Sequence, residues 1–175
     1  MELNALDLAI NEKKSVCIRI GPRSSAECAN ISMCSGRDLL WVNSFRYLGI
    51  VVVSGREFNC SFKHAKAKFY RAFNAIFSKI GRIASENIII ELLTKKCLPV
   101  LLYGVEACPV SKANISNLQF ALTNVVMKIF DTRSKDVAST CCEHFGVRDI
   151  STAVKMRTDN FLRSLSSVSG LMQVV

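Results

Sequence analysis

The sequence predicts an α+β fold in which a small antiparallel β-meander is followed by an α-helical bundle. Turn-forming residues recur every few positions up to about residue 55, whereas apolar residues recur at helical spacings from Phe58 onward. The chain of 175 residues is 50% hydrophobic and 21% charged, which is typical of a globular protein. A chain of this length can bury about 70% of its unfolded surface, so we expect a packed core.

The opening segment contains one helix end and several strand-like runs. Leu3, Leu6 and Ile10 lie three and four positions apart, which predicts the last turns of a helix over residues 1–10. Glycine, proline, asparagine and serine then separate short runs that are rich in β-branched and aromatic side chains. These runs predict strands over residues 16–20, 29–33, 39–42 and 45–53.

A long amphipathic helix is predicted from Asn59 to Ile80. Its apolar residues fall on one side of a helical wheel drawn at about 100° per residue, so this side should face the core. The apolar stripe consists of Phe58, Phe62, Ala65, Phe69, Phe73, Ile76 and Ile80. The opposite side is basic and carries Lys63, Lys68, Arg71 and Lys79, with Arg82 just beyond the helix end.

Further helices are predicted downstream. Gly81 ends the basic helix, Ser85 is a suitable N-cap for a second helix, and Pro99 should kink or break that second helix. Apolar periodicity predicts a third helix over residues 115–130, and weaker patterns predict helices over 135–145 and 151–165. The predicted bundle packs through Phe62, Phe69, Phe73, Ile76, Leu93, Leu101, Leu118 and Val125. The predicted divisions are a β-rich segment, 1–55, a helical bundle, 56–130, and a helical tail, 131–175.

The positive charge is concentrated in the middle of the chain. The net charge is +9, and residues 56–96 contribute nine basic and three acidic side chains to it. A local excess of this kind favours a polyanionic partner, with nucleic acid first and an acidic membrane surface second. The alternative is a basic helix face that is simply solvated.

Several classes of function are disfavoured by what the sequence lacks. It contains no phosphate-binding glycine loop, no serine-hydrolase elbow and no zinc-protease motif. The eight cysteines form no Cys-x-x-Cys pair, so we expect reduced thiols and no structural zinc. Lys95 and Lys96 interrupt the longest apolar stretch, residues 88–105, and the N-terminus does not read as a secretory signal. We therefore expect an intracellular protein, in the nucleus or cytoplasm, that has no membrane partner and is not secreted.

Three local motifs follow one another along the chain: LDLAINEKKS at residues 6–15, FRYLG from Phe45 to Gly49, and CLPVLLYGVEACP from Cys97 to Pro109. Together, in this order, they resemble reverse transcriptases of non-LTR (LINE-type) retrotransposons. The first resembles the segment that follows the catalytic hairpin of these enzymes, the second their primer grip, and the third their thumb signature, with Cys108 in place of a tryptophan. The resemblance covers about residues 3–130. It implies that the β-rich segment is the palm edge with the primer grip and that the helical bundle is the thumb.

The resemblance also implies roles for individual residues. Lys14 matches a lysine that lies near the leaving pyrophosphate, although a turn lysine before a strand is the competing interpretation. Tyr47, Leu48 and Gly49 match the primer-grip hairpin, where Tyr47 and Leu48 could instead be packing residues. The basic helix matches the thumb element that faces the RNA/DNA template-primer duplex, so Lys63, Lys68, Arg71, Lys79 and Arg82 become candidate phosphate contacts.

The catalytic centre of the family is missing from this sequence. These enzymes hold two Mg²⁺ ions with carboxylates that include an aspartate pair, and no Asp-Asp pair occurs in the 175 residues. We therefore predict no catalytic residue, no metal site and no cofactor in this chain. We expect Mg²⁺ to be bound only by the full-length enzyme. The expected molecule is a truncated polymerase fragment whose partners are the duplex and the missing fingers and palm. The competing hypothesis is a decayed or protein-interaction domain with exposed apolar faces.

Overall fold

The structure, a computed structural model, describes residues 10–11, 13–33, 35–81 and 83–172, and the side chains only as far as residue 167. The helix end predicted over residues 1–10 therefore lies almost wholly outside the described residues. The described chain is mixed α+β, with a small antiparallel sheet followed by helices, which confirms the predicted fold class at this level. It forms two compact units, divided in the sequence between Ser61 and Phe62.

The start of the first unit differs from the predicted antiparallel meander. Its strands β1, Val16–Cys17, and β2, Leu40–Trp41, are two residues long and pair in parallel. The strand predicted over 29–33 is reduced to an isolated bridge between Ser32 and Asp38. A parallel pair needs a long connection, and here residues 18–39 supply it.

A three-stranded antiparallel sheet completes the first unit. It contains β3, Ser44–Tyr47, β4, Ile50–Val53, and β5, Asn59–Ser61. The run predicted as one strand over 45–53 is thus a hairpin, and its two-residue turn is Leu48-Gly49. Both turn residues have positive φ, 46° and 88°, as in the type I′ turns that suit the twist of a hairpin.

The second unit is helical. Its α-helices are α1, Lys63–Ile80, α2, Glu86–Leu92, α3, Leu98–Leu101, α4, Lys112–Ile129, α5, Lys135–His144, and α6, Ile150–Met172. Ser85 occupies the N-cap position of α2, as predicted, and the Ser111 and Ser134 hydroxyls accept backbone N–H bonds at the starts of α4 and α5. The helices predicted over 115–130, 135–145 and 151–165 are confirmed.

The predicted start of the basic helix is wrong. Residues 59–61 form β5, which pairs with β4, and α1 begins at Lys63. Phe58 therefore does not belong to the buried stripe, and 46% of its surface is exposed. Gly81 follows the last helical residue, as predicted, but its φ is −62°. A Cβ there would lie 2.6 Å from the Phe77 carbonyl oxygen, so close packing is the reason for glycine at this position.

Pro99 perturbs its helix without ending it. A π-helical segment, Leu93–Cys97, joins α2 to α3, and Leu98 donates its N–H to the Leu93 carbonyl five residues back. Proline has no N–H to donate, and in a regular α-helix the Pro99 ring would clash with the carbonyl of Lys95, four residues back, which accounts for the wider turn. The chain then turns at Gly104, with φ of 76°, into a 3₁₀ helix, Val105–Ala107.

The core of the second unit lies where α1, the α2–α3 segment and α4 pack together, with α5 and α6 against α4. Phe69, Leu101 and Val126 are fully buried at its centre. All eight residues predicted to pack the bundle belong to this core, with Phe62 and Ile76 partly buried at its edge. The first unit has almost no core of its own, since Val52 and Cys60, a cross-strand pair, are its only buried hydrophobic residues among those described.

Candidate nucleic-acid interface

The outer face of α1, defined by Lys63, Lys68, Arg71 and Lys79, is the strongest candidate site. All four side chains are exposed. Lys63, Arg71 and Lys79 are eight residues apart, so they follow a single i, i+4 ridge at intervals of about 12 Å. Lys68 lies beside this ridge on the same side of the helix. The four cations therefore span about 24 Å of helix.

The opposite side of α1 fixes the orientation of this face. Phe69 and Phe73 are buried to 0% and 2% exposure, and Phe73 stacks on Phe77 with 5.2 Å between ring centroids. Rotating the helix to hide the cations would expose these rings, and burial of an aromatic side chain is worth several kcal/mol, roughly 3–5 by truncation. The hydrophobic stripe thus holds the basic face toward solvent.

The charge of this face is not balanced by its own helix. The 18 residues of α1 include five lysines or arginines and no carboxylate, and the 18 residues of α4 likewise include no carboxylate. The ion pairs found among the described residues, Lys95–Glu91 and Arg157–Glu106, lie elsewhere. The outer face of α1 consequently presents uncompensated positive charge.

The remaining exposed positions of α1 are small or polar. Between the four cations lie Ala67, Asn74, Ala75 and Ser78, all exposed. Small side chains let a polyanion approach the helix closely, and the exposed positions include no aromatic ring on which a base could stack. The chemistry available on this face is therefore contact with phosphate and not recognition of bases.

The predicted primer-grip residues form the tip of the β3–β4 hairpin. Tyr47 and Leu48 are 61% and 74% exposed, and Gly49 is half-buried. The Phe45 ring lies 6.5 Å from the Tyr47 ring, centroid to centroid. Leu48 is held in the left-handed region, which a β-carbon makes unfavourable and which is often found where a residue serves function.

The remaining predicted residues, Lys14 and Arg82, are not part of α1. Lys14 lies exposed in a turn directly before β1, and its backbone N–H donates to the Asn11 carbonyl at 3.0 Å. This local geometry is that of the turn lysine named as the competing interpretation. Arg82 lies outside the described residues.

Among the described residues, the thiols form no disulfide and the thiols and carboxylates form no metal-binding group. The cysteines that the structure describes are all free, and no three His, Cys, Asp or Glu side chains within the described ranges are grouped to hold a metal ion. Burial raises the pKa of the Cys97 thiol, and burial together with the neighbouring Cys141 and Glu143 raises that of Cys142. Both thiols are consequently held in the protonated, unreactive form. Among the helices within the described ranges, none has the length and apolarity needed to cross a bilayer.

One residue next to the candidate face was not predicted. Lys128 of α4 is exposed, and its ammonium donates a hydrogen bond to the Asn74 Oδ1 of α1 at 3.0 Å. Fifty-four positions separate the two residues in the sequence. Helical periodicity within α4 places Lys128 on an outer side, but only the packing of α4 on α1 brings it to the basic face.

No protein-family model, curated protein or solved structure matches this chain.

Proposed function

We propose that this chain is a fragment of an RNA-directed DNA polymerase of the non-LTR retrotransposon type, and that it contacts the template-primer duplex through the outer face of α1. The sequence resemblance supplies the family, with the hairpin tip as primer grip and the helices as thumb. The observation that carries the proposal is a fixed helical face with four exposed cations and no carboxylate. Contacts to phosphate alone suit an enzyme that copies any sequence.

The weak core of the first unit supports the idea of a fragment. A sheet whose buried hydrophobic residues are Val52 and Cys60 alone, among those described, buries little apolar surface. A palm edge separated from the rest of its palm would have this property. The same proposal assigns no catalytic step to the chain, because the metal-binding carboxylates of the family have no counterpart in its sequence.

The exposed apolar residues of the first unit favour the second candidate, a decayed or protein-interaction domain. They include Leu40, Trp41, Tyr47, Leu48 and Phe58. Exposed apolar side chains favour binding to other proteins or aggregation where they form a contiguous patch. Such association would strengthen or stay constant as salt rises.

Salt dependence separates the two candidates. The full chain is mixed with RNA–DNA hybrid duplexes of two unrelated sequences, and the dissociation constant is measured by fluorescence anisotropy across a range of KCl concentrations. The proposal requires a linear fall of log affinity with log salt, at the same slope for both sequences. Vesicles of phosphatidylserine serve as a second polyanion, and tighter binding to them than to the duplex would reject a nucleic-acid function. Salt-independent binding would favour the protein-interaction domain.

A further inference from the structure

We infer that Lys128 of α4 is a further phosphate-contacting residue, so that the basic surface crosses from α1 onto α4 and fits a double-stranded ligand. The inference rests on the proposed function and extends it to a residue outside the basic region of the sequence, residues 56–96.

The position of the Lys128 ammonium is fixed by three contacts with α1. It donates to Asn74 Oδ1 at 3.0 Å, and it lies 5.2 Å from the Phe77 ring centroid and 5.8 Å from that of Phe73. Both ring distances are within the roughly 6 Å range of a cation–π interaction. Neither a hydrogen bond to a neutral amide nor a ring contact cancels the positive charge. The side chain is thus ordered before a ligand arrives, which lowers the entropic cost of binding.

Asn74 places this ammonium on the outer face of α1. Asn74 is three residues from Arg71, and residues at this spacing are neighbours on a helix surface. On the helical wheel Asn74 lies about 120–140° from Lys68 and Lys79, with Arg71 between them. Lys128 therefore adds a cation along one edge of the face, and Lys68 and Lys79 occupy the other edge.

The cations of α1 and Lys128 form one basic surface that extends from α1 onto α4, and this width suits contacts to both phosphate chains of a duplex. A single strand would more often be held by stacking of its bases on aromatic side chains, and the exposed positions of α1 offer none. The surface formed by α1 and Lys128 should accordingly prefer a duplex to a single strand of the same length. The preference arises from shape and charge, without a sequence requirement.

The test compares Lys128→Met with Lys128→Arg in the full chain. Methionine keeps an unbranched apolar side chain against Phe73 and Phe77 but removes the charge, whereas arginine keeps the charge. Binding of an RNA–DNA hybrid is measured against KCl concentration, and Lys155→Met, an exposed substitution on α6, is the control. We expect Lys128→Met to flatten the salt slope by about 0.9, and Lys128→Arg and Lys155→Met to retain the parental slope. Asn74→Asp should flatten the slope as well, because its carboxylate would neutralise the ammonium.

The outcomes distinguish this inference from the function on which it rests. If Lys128→Met keeps the parental slope while substitution of Lys63, Lys68 and Arg71 flattens it, the surface ends at α1 and the inference fails alone. A lower melting temperature with an unchanged slope would make Lys128 a packing residue and would also overturn the inference. If the parental chain shows no salt-dependent binding, both the inference and the proposed function fail. Equal affinity for the duplex and for its separate strands would reject the preference for a duplex.

Discussion

The side-chain carbonyl of Gln119, on α4, accepts a hydrogen bond at 2.9 Å from the backbone N–H of Ile150, the first residue of α6. The N–H groups at a helix start have no partner within the helix, so this bond satisfies one of them from 31 positions away. The next cap is local, since the Asp149 carboxylate accepts from the Thr152 N–H at 3.0 Å. The Gln119 bond ties the start of α6 to α4, and the Asp149 bond caps the same helix start locally.

The Asp149 cap predicts a pH-dependent contribution to stability. Hydrogen bonds from the Thr152 hydroxyl and the Thr152 backbone N–H lower the pKa of Asp149. Because the folded pKa lies below the unfolded value of about 3.9, the contribution is complete above that value and is lost as the pH falls through the folded pKa. Asp149→Ala should therefore cost about 1 kcal/mol at pH 7 and less at pH 3, which lies below the unfolded pKa. Thermal unfolding at both pH values measures this difference.

Asp149→Asn is the matched control for this prediction. Asparagine caps a helix about as well as aspartate but carries no titrating carboxyl, so its stability difference from alanine should not change with pH. An equal effect of Asp149→Ala at pH 3 and pH 7 would show that the carboxylate charge has no part in the cap.

The helical core could be predicted from the sequence because its signal is local. Phe69, Phe73 and Ile76 recur at helical spacing, and no competing periodicity overlaps them. The sequence predicts the start of α1 too early, at Asn59, because a strand pattern and a helix pattern coincide there. Residues 58–62 alternate apolar and polar in the manner of a strand, and Phe58 and Phe62 are also four apart as in a helix. Residues 59–61 pair with β4 and therefore form a strand, in which Cys60 is buried.

The parallel pairing of β1 with β2 and the position of Lys128 could not be predicted. Each depends on contacts between positions that are distant in the sequence. A run of β-branched residues indicates a strand but does not indicate which other strand it pairs with. The basic outer face of α1 could be predicted, because its prediction requires only the helical period and the sign of the charges. Its predicted members Lys63, Lys68, Arg71 and Lys79 are all exposed on one side.

The buried stripe of α1 gives a prediction for stability. Phe69 is 0% exposed at the centre of the second unit, so Phe69→Ala should lower the free energy of unfolding by about 3–5 kcal/mol. Phe120, in the same unit, is 50% exposed, and Phe120→Ala should cost about 1 kcal/mol or less. Guanidinium unfolding followed by circular dichroism measures both. Similar midpoints for the two variants would contradict the burial of Phe69.

The missing carboxylates give a prediction for catalysis. With a primed RNA template, Mg²⁺ or Mn²⁺ and the four deoxynucleotides, the purified chain should extend no primer, because nothing in its sequence corresponds to the aspartate pair that holds the two metal ions. The products are resolved on a sequencing gel beside a heat-inactivated sample. Template-dependent extension above that sample would show that the chain holds a catalytic centre of another kind.

The triple variant Lys63→Gln, Lys68→Gln, Arg71→Gln tests the outer face of α1 most directly. Glutamine is a good helix former, so α1 should be retained while three positive charges are removed. Each cation that neutralises a phosphate contributes about 0.9 to the salt slope, so we expect the slope for an RNA–DNA hybrid to flatten by roughly two to three units. Affinity should fall about equally for all sequences, because the lost contacts are to phosphate.

A second triple variant removes the same charge from elsewhere in the same unit. Lys135, Lys155 and Arg163 are exposed on α5 and α6, and their replacement by glutamine should leave the slope nearly unchanged. If the two variants lose affinity equally, overall charge attracts the duplex and α1 has no special part. If the α1 variant binds as tightly as the parent and with the same slope, its basic face is merely solvated, and the protein-interaction domain becomes the better proposal.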